Sequence, residues 1–281
     1  MKGTIISNKI IEQFENHLKM EEKSQNTIEK YIRDVTAFVE YLGEKPVNKE
    51  NAIAYKQHLH DKGYAVRSIN SIIASLNALF CFIGIVDCKL KSLKLQRQVY
   101  YPEEKELTKA EYARLVNAAK QKGNERLNLV IQTICGTGIR VSELQFITVE
   151  AVRKGKAVVS LKGKTRTVFI VKSLQKKLLR YIAERKIKQG SVFVTRTGKP
   201  ISRTNIWREM KSLCKQADVN PNKVFPHNLR HLFARTFYGI EKDIAKLADI
   251  LGHSSINTTR IYIMTTDNEH RRRMENMQLI I

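Results

Sequence analysis

Six side chains in this sequence of 281 residues stand beside breaks in its secondary-structure pattern. Arg140 follows Gly136-Thr137-Gly138, so a fixed backbone aims it from a helix start. Lys162 sits in the Lys162-Gly163-Lys164-Thr165-Arg166 turn, where a long cation reaches outward. His227 and Arg230 lie in Pro226-His-Asn-Leu-Arg-His, and the proline at a helix start puts both on one face of the first turn. His253 follows Leu251-Gly252, and Tyr262 closes Thr258-Thr259-Arg260-Ile261-Tyr262. Cations and histidines at such corners suit an anionic partner and proton transfer. Each residue also has a plainer reading. Arg140 could pair with Glu143 on the surface, Lys162 could be a solvated turn lysine, and Tyr262 a half-buried aromatic. His227 and His231 are spaced i, i+4 as a metal pair would be, but no carboxylate completes a zinc motif.

The elements that must hold these residues follow from charge and periodicity. The chain carries 50 Lys and Arg against 27 Asp and Glu, a net +23, which calls for a polyanionic partner. Residues 1–90 hold 12 basic and 11 acidic residues, whereas residues 91–281 hold 38 and 16, so two units with different tasks are expected. In the first, Ile6, Ile10, Phe14 and Leu18 recur at helical spacing. Further helices are predicted from about Thr27, over Lys49–His60 and over Val66–Ile83, making a four-helix bundle. Lys91, Lys94 and Arg97 then precede Tyr100 in a basic linker, residues 91–104, with Lys89 just before it. Beyond it, Thr108 and Glu111 have capping-box spacing, and Leu127–Cys135 reads as a buried helix. Ala157–Leu161 and Thr167–Val171 form a hairpin around the lysine turn, with a third short strand at Ser191–Val194. The expected fold is mainly α with a small antiparallel sheet. No apolar run approaches the length of a membrane helix, the N-terminus is not a signal peptide, and the four cysteines form no C-x-x-C pair. Reduced thiols and a cytoplasmic, nucleoid-associated place of action are expected.

In joint order, Arg140, Lys162, His227-x-x-Arg230, His253 and Tyr262 resemble the tyrosine recombinases of the phage integrase and Xer type. Gly-Thr-Gly-Ile-Arg-Val-Ser-Glu-Leu at 136–144, His-Asn-Leu-Arg-His at 227–231, Leu-Gly-His-Ser-Ser at 251–255 and Thr-Thr-Arg-Ile-Tyr at 258–262 carry the resemblance. One departure is Leu232-Phe233-Ala234-Arg235, where a hydroxyl residue is more usual after the second histidine. The resemblance implies a helical core-binding domain at 1–90, an α+β catalytic domain at 105–270, and a tail at 271–281 that docks on a neighbouring protomer or on its own domain. It implies that Tyr262 attacks a DNA phosphodiester to give a 3′-phosphotyrosyl link. Arg140 and Arg230 would clamp the non-bridging oxygens, and Lys162 would protonate the leaving 5′-oxygen, with Lys164 two positions on in the same turn. His227 would act as acid/base partner, His253 as a donor to the phosphate, and Glu143 as the group orienting Arg140 or His227. No metal or nucleotide cofactor is expected. The partner would be duplex DNA with inverted-repeat recombination sites, held between the two domains by a tetramer on two duplexes. Arg67, Asn70, Lys94, Arg97, Lys164 and Arg166 are candidates for contacting it. A type IB topoisomerase uses a similar catalytic set, and a non-catalytic helix-turn-helix regulator would explain the charge alone.

Overall fold

The computed structural model describes residues 6–95, 102–161, 163–264 and 267–278. The chain divides into two compact units, Met1–Arg97 and Gln98–Ile281.

The first unit is four helices: α1 (Asn8–Met20), α2 (Gln25–Leu42), α3 (Lys49–Asp61) and α4 (Val66–Phe82). The expected stripes are buried. Phe14 and Leu18 from α1, Val35 and Phe38 from α2, Leu59 from α3 and Ile69, Ile73 and Leu76 from α4 share one core. The residues after α4 are bound to it. Asn77 donates to the Leu90 carbonyl at 3.0 Å and accepts from the Leu90 N–H at 2.8 Å. Asn70, two turns earlier on the same face, does the same to Leu93 at 2.9 and 2.7 Å. Each carboxamide thus stands in for a strand neighbour, satisfying a donor and an acceptor of an irregular segment. Lys56 adds a bond to the Lys91 carbonyl at 2.7 Å. This bears on two expectations. The first unit extends past residue 90, and the Asn70 carboxamide, expected at the DNA, is bonded to Leu93 within it.

The second unit is built around α6 (Glu125–Thr137), which follows α5 (Lys109–Gln121). Leu127, Leu129, Val130, Ile131 and Ile134 are all buried, as a central helix requires. The Thr108–Glu111 capping box starts α5: the Glu111 N–H donates to the Thr108 hydroxyl at 3.1 Å, and the Thr108 N–H to the Glu111 carboxylate at 2.8 Å. A six-residue 3₁₀ turn, Val141–Phe146, then leads to α7 (Val149–Lys154). Strands β1 (Lys156–Leu161) and β2 (Lys164–Phe169) pair antiparallel, with Leu161 opposite Lys164 and Val159 opposite Arg166. The hairpin is tighter than the sequence suggests, so Lys164 and Arg166 belong to β2 and not to the turn. Helices α8 (Lys172–Glu184), α9 (Arg203–Lys211) and α10 (Cys214–Ala217) follow. Then come α11 (Pro226–Glu241), α12 (Ile244–Leu251), α13 (Ile256–Tyr262) and α14 (Asp267–Glu275). The third strand expected at Ser191–Val194 is not formed. Ser191 and Val194 make only isolated bridges, to Thr148 and Pro200, while Val192 and Phe193 enter the core. Among the described residues no helix is long and apolar enough to cross a membrane.

Candidate active site

The ends of α6, α12 and α13, the first turns of α11 and the strand β2 converge on one site. Gly138 ends α6 in the left-handed region, φ +66°. A Cβ there would lie 2.5 Å from the Phe233 ring, so glycine is required by backbone and packing alike. Two residues later Arg140 caps the 3₁₀ turn. Its N–H donates to Glu143 Oε2 at 2.9 Å, its Nη1 to Glu143 Oε1 at 2.9 Å, and its Nη2 to the Gly252 carbonyl at 3.2 Å. The Arg140 side chain keeps 38 % of its surface and lines a cleft of about 850 Å³ together with Glu143, Arg166, Gly252 and His253.

Arg230, on α11, is 1 % exposed. Its Nη1 donates to the Gly138 carbonyl at 2.5 Å and its Nη2 to the Leu251 carbonyl at 2.7 Å. These carbonyls are at the C-terminal ends of α6 and α12, where the helix dipole is negative. Its Nε–H, also buried, has no hydrogen-bond acceptor among the described residues. Burial first, and then the Arg140 charge, pull this guanidinium down to about 10, so it stays charged at neutral pH.

Arg230 Nη2 also lies 3.0 Å from His253 Nε2. A guanidinium only donates, so Nε2 accepts, and the ring proton sits on Nδ1, 2.9 Å from the Thr259 hydroxyl. Burial, followed by the charges of Arg230, Arg140 and Arg166, lowers His253 to about 4. His253 is therefore neutral, with its lone pair turned toward Arg230. The role expected for it, donation to a phosphate, requires that it first gain a proton or change tautomer.

Tyr262 is 6 % exposed. Its ring lies 4.9 Å from His253, 5.1 Å from His227 and 5.7 Å from the Arg230 guanidinium carbon. The closest ring is His231, stacked at 4.2 Å and 15°. His231 is buried and donates to the Tyr262 main-chain carbonyl. Desolvation, and then His227, hold it down at about 3. Desolvation by the adjoining rings, and after it Arg230 and Arg140, also lower His227.

Arg140, Glu143, His227, Arg230, His253 and Tyr262 are thus brought together as the sequence motifs implied. Lys162 lies outside the described residues, as does Arg97. Lys164 is paired with Leu161 in the sheet, two residues from Arg166. Arg166 is turned inward: its side chain is 12 % exposed, its Nη2 bonds the second oxygen of Glu143, and its Nη1 bonds the Ile250 carbonyl at 3.1 Å. Arg166, expected as a DNA contact, has both terminal nitrogens bonded within the protein. Arg67 and Lys94 are exposed. Sequence reasoning weighed His231 only as half of a metal pair, although its i+4 spacing from His227 places it on the site's face. Thr259 carried no sequence signal beyond its place in the Thr-Thr-Arg-Ile-Tyr motif.

Residues 105–269 match the Phage integrase family model, and residues 11–83 match the Phage integrase, N-terminal SAM-like domain. The chain belongs to the phage integrase family of tyrosine recombinases, enzymes that break and rejoin DNA. It is 32 % identical over 282 residues to the tyrosine recombinase XerA of Thermococcus kodakarensis, covering 97 % of this chain and 96 % of the relative. In structure it is similar to the Tn1549 transposon integrase in complex with transposon right end DNA, with a TM-score of 0.72, 19 % identity and coverage of 96 % and 99 %. It is also similar to the XerH site-specific recombinase bound to its difH substrate, with a TM-score of 0.70, 18 % identity and coverage of 97 % and 99 %. Neither the topoisomerase nor the non-catalytic regulator fits a family match that spans both units.

Proposed function

We propose that this recombinase works on duplex DNA through Tyr262 of its own chain. The observation that carries this reading is the seating of Tyr262, ringed by His227, His231 and His253 and 5.7 Å from Arg230. The scissile phosphate enters the cleft beside Arg140. Arg140 and the unused Nε–H of Arg230 supply donors to its non-bridging oxygens, where charge grows in the pentacoordinate transition state. An orphaned buried donor in a finished fold points to a ligand atom that it meets. Tyr262 Oη attacks phosphorus and the bond to the 5′-oxygen breaks. Lys162 protonates that oxygen, while a neutral imidazole, His227 foremost, accepts the tyrosyl proton. Attack by a 5′-hydroxyl of the partner strand reverses the steps and frees the tyrosine.

On this reading the sites are inverted repeats and the working assembly is a tetramer on two duplexes in the cytoplasm, associated with the nucleoid. Strand exchange of this kind serves integration, excision, inversion and dimer resolution alike. The +22 of residues 91–281 supports phosphate-dominated binding. The test is Tyr262→Phe against the unaltered chain on nicked suicide duplexes, resolved on denaturing gels. The expected result is equal DNA binding and complete loss of covalent adduct. Persistence of the adduct would remove Tyr262 from the mechanism.

A further inference from the structure

We propose that Arg166 is a positioning residue of the phosphate clamp, occupying Glu143 so that Arg140 keeps its charge for the substrate. This rests on the reading of Arg140 and Tyr262 given above.

The carboxylate of Glu143 is 3 % exposed and meets two guanidiniums. Its Oε2 takes the Arg140 main-chain N–H and Arg166 Nη2, while its Oε1 takes Arg140 Nη1. One negative charge is thus divided between two positive ones, and the trio carries a net +1 beside the cleft. With a neutral side chain at 166, Glu143 and Arg140 would form a closed pair of zero net charge. The second carboxylate oxygen, left with only the Arg140 main-chain N–H, would then take the Arg140 side chain in bidentate fashion and turn its fork from the cleft. Arg166 prevents this by filling that oxygen.

The same side chain fixes the other wall. Its Nη1 bonds the Ile250 carbonyl, and its stem runs against Gly252. Gly252 has φ +63°, and a Cβ there would lie 2.4 Å from Arg166 Cδ and 2.6 Å from its Nε. Held at both terminal nitrogens, Arg166 has no room to retreat. The Gly252 carbonyl receives Arg140 Nη2, and the next residue is His253. A single buried arginine therefore ties β2 to Glu143 and to the turn that carries a site histidine. A residue 12 % exposed, with both terminal nitrogens bonded inside the protein, is poorly placed to touch DNA.

The test uses the full chain and a nicked suicide duplex whose cleavage site is recovered by covalent capture from a randomised library. Duplex affinity and single-turnover adduct rate at saturating protein are measured for Arg166→Met, Arg166→Lys and the Arg166→Met/Glu143→Gln double variant. Arg166→Met is expected to keep its affinity and slow adduct formation by about 10²-fold, the scale of a lost oxyanion donor. Arg166→Lys, with the charge but not the fork, falls between. Neutralising Glu143 in the double variant releases Arg140 from that closed pair and restores at least about tenfold over Arg166→Met, because capture of Arg140 by the carboxylate is what does the damage. A double variant as slow as Arg166→Met or slower, or a lysine no better than methionine, shows a packing role and overturns the proposal. Weakened affinity with an intact saturated rate shows a DNA contact and also overturns it. Adduct formation by Tyr262→Phe sinks the underlying reading of the site instead, whatever Arg166 does.

Discussion

His231 makes the second unit sensitive to acid by an amount that can be worked out. Its ordinary value of 6.5 falls to about 3 in the fold, chiefly through desolvation and then through His227, against an opposing bond to the Tyr262 carbonyl. The folded value is the lower one, so on acidification the unfolded chain takes up the proton first. Stability from this residue is intact above pH 6.5 and is lost progressively as the pH falls toward 3. At pH 5 the folded ring is still neutral, and the loss is about 2 kcal/mol, from roughly 1.5 pH units at about 1.4 kcal/mol each. For a unit of this size that corresponds to about 4–8 °C in melting temperature. The assay is thermal unfolding of the full chain at pH 7.5 and pH 5, for wild type and His231→Phe. Phenylalanine keeps a ring against Tyr262 and removes the titration. The drop between the two pH values is expected to be smaller in the variant by about 4–8 °C. An equal drop in both proteins would refute the assignment of a buried, neutral imidazole to this position.

Two further outcomes separate the remaining roles. Lys162→Ala is expected to slow cleavage by about 10²–10⁴-fold on ordinary DNA and to recover on a duplex with a bridging 5′-sulfur, since a thiolate leaves without a proton. Arg230→Ala is expected not to recover there, and rescue of Lys164→Ala in place of Lys162→Ala would move the general acid by two residues. Deleting residues 272–281 is expected to spare binding to a single site and to abolish synapsis, measured by gel-shift stoichiometry on one and two duplexes. Full recombination by the shortened chain would refute docking of the tail on a neighbouring protomer.

Local signals and tertiary ones were not equally legible. The helices of the first unit were readable because their apolar residues repeat at helical spacing. Phe14 and Leu18 and the α4 set of Ile69, Ile73 and Leu76 are buried as that spacing requires. The hairpin was readable from its β-branched runs, but its length was not. Lys164, Thr165 and Arg166 are polar and read as turn, yet they pair with Leu161, Ser160 and Val159. Composition does not report a polar strand whose inward residue is satisfied by an ion pair. Ser191–Val194 misled in the opposite sense, because an apolar run buries as readily in a loop as in a strand. The same limit explains Asn70 and Asn77. A carboxamide on an exposed-looking helix face gives no sign that Leu93 and Leu90 will come back to meet it. The site motifs were legible because each is short and lies at a helix end. The partners that make them act together, Arg166 for Glu143 and His231 for Tyr262, come from separate elements or from ring stacking that spacing alone does not fix.

The electrostatics of the cleft explain why these residues are held as they are. Of three guanidiniums, Arg140 and Arg166 share the Glu143 carboxylate while Arg230 is held by main-chain carbonyls, and burial pushes Arg166 and Arg230 below their ordinary values. The histidines nearby are driven to the neutral form by burial and by those same charges. Such an array, three guanidiniums against one carboxylate, carries a net +2, and on the proposed reading a phosphodiester offsets part of it. On that reading its charge would oppose the arginines' effect on His253, raising the value of a ring now held near 4 and favouring the protonated form that can donate. Arg230 now gives its two terminal nitrogens to the Gly138 and Leu251 carbonyls, which fixes the guanidinium plane before any substrate arrives. On the proposed reading the Nε–H would meet an oxygen without first being reoriented, which is the condition under which a buried donor contributes most to a transition state. Carbonyls, unlike carboxylates, hold that fork without cancelling its charge, and this is the physical reason for anchoring Arg230 on helix ends and leaving Glu143 to Arg140 and Arg166.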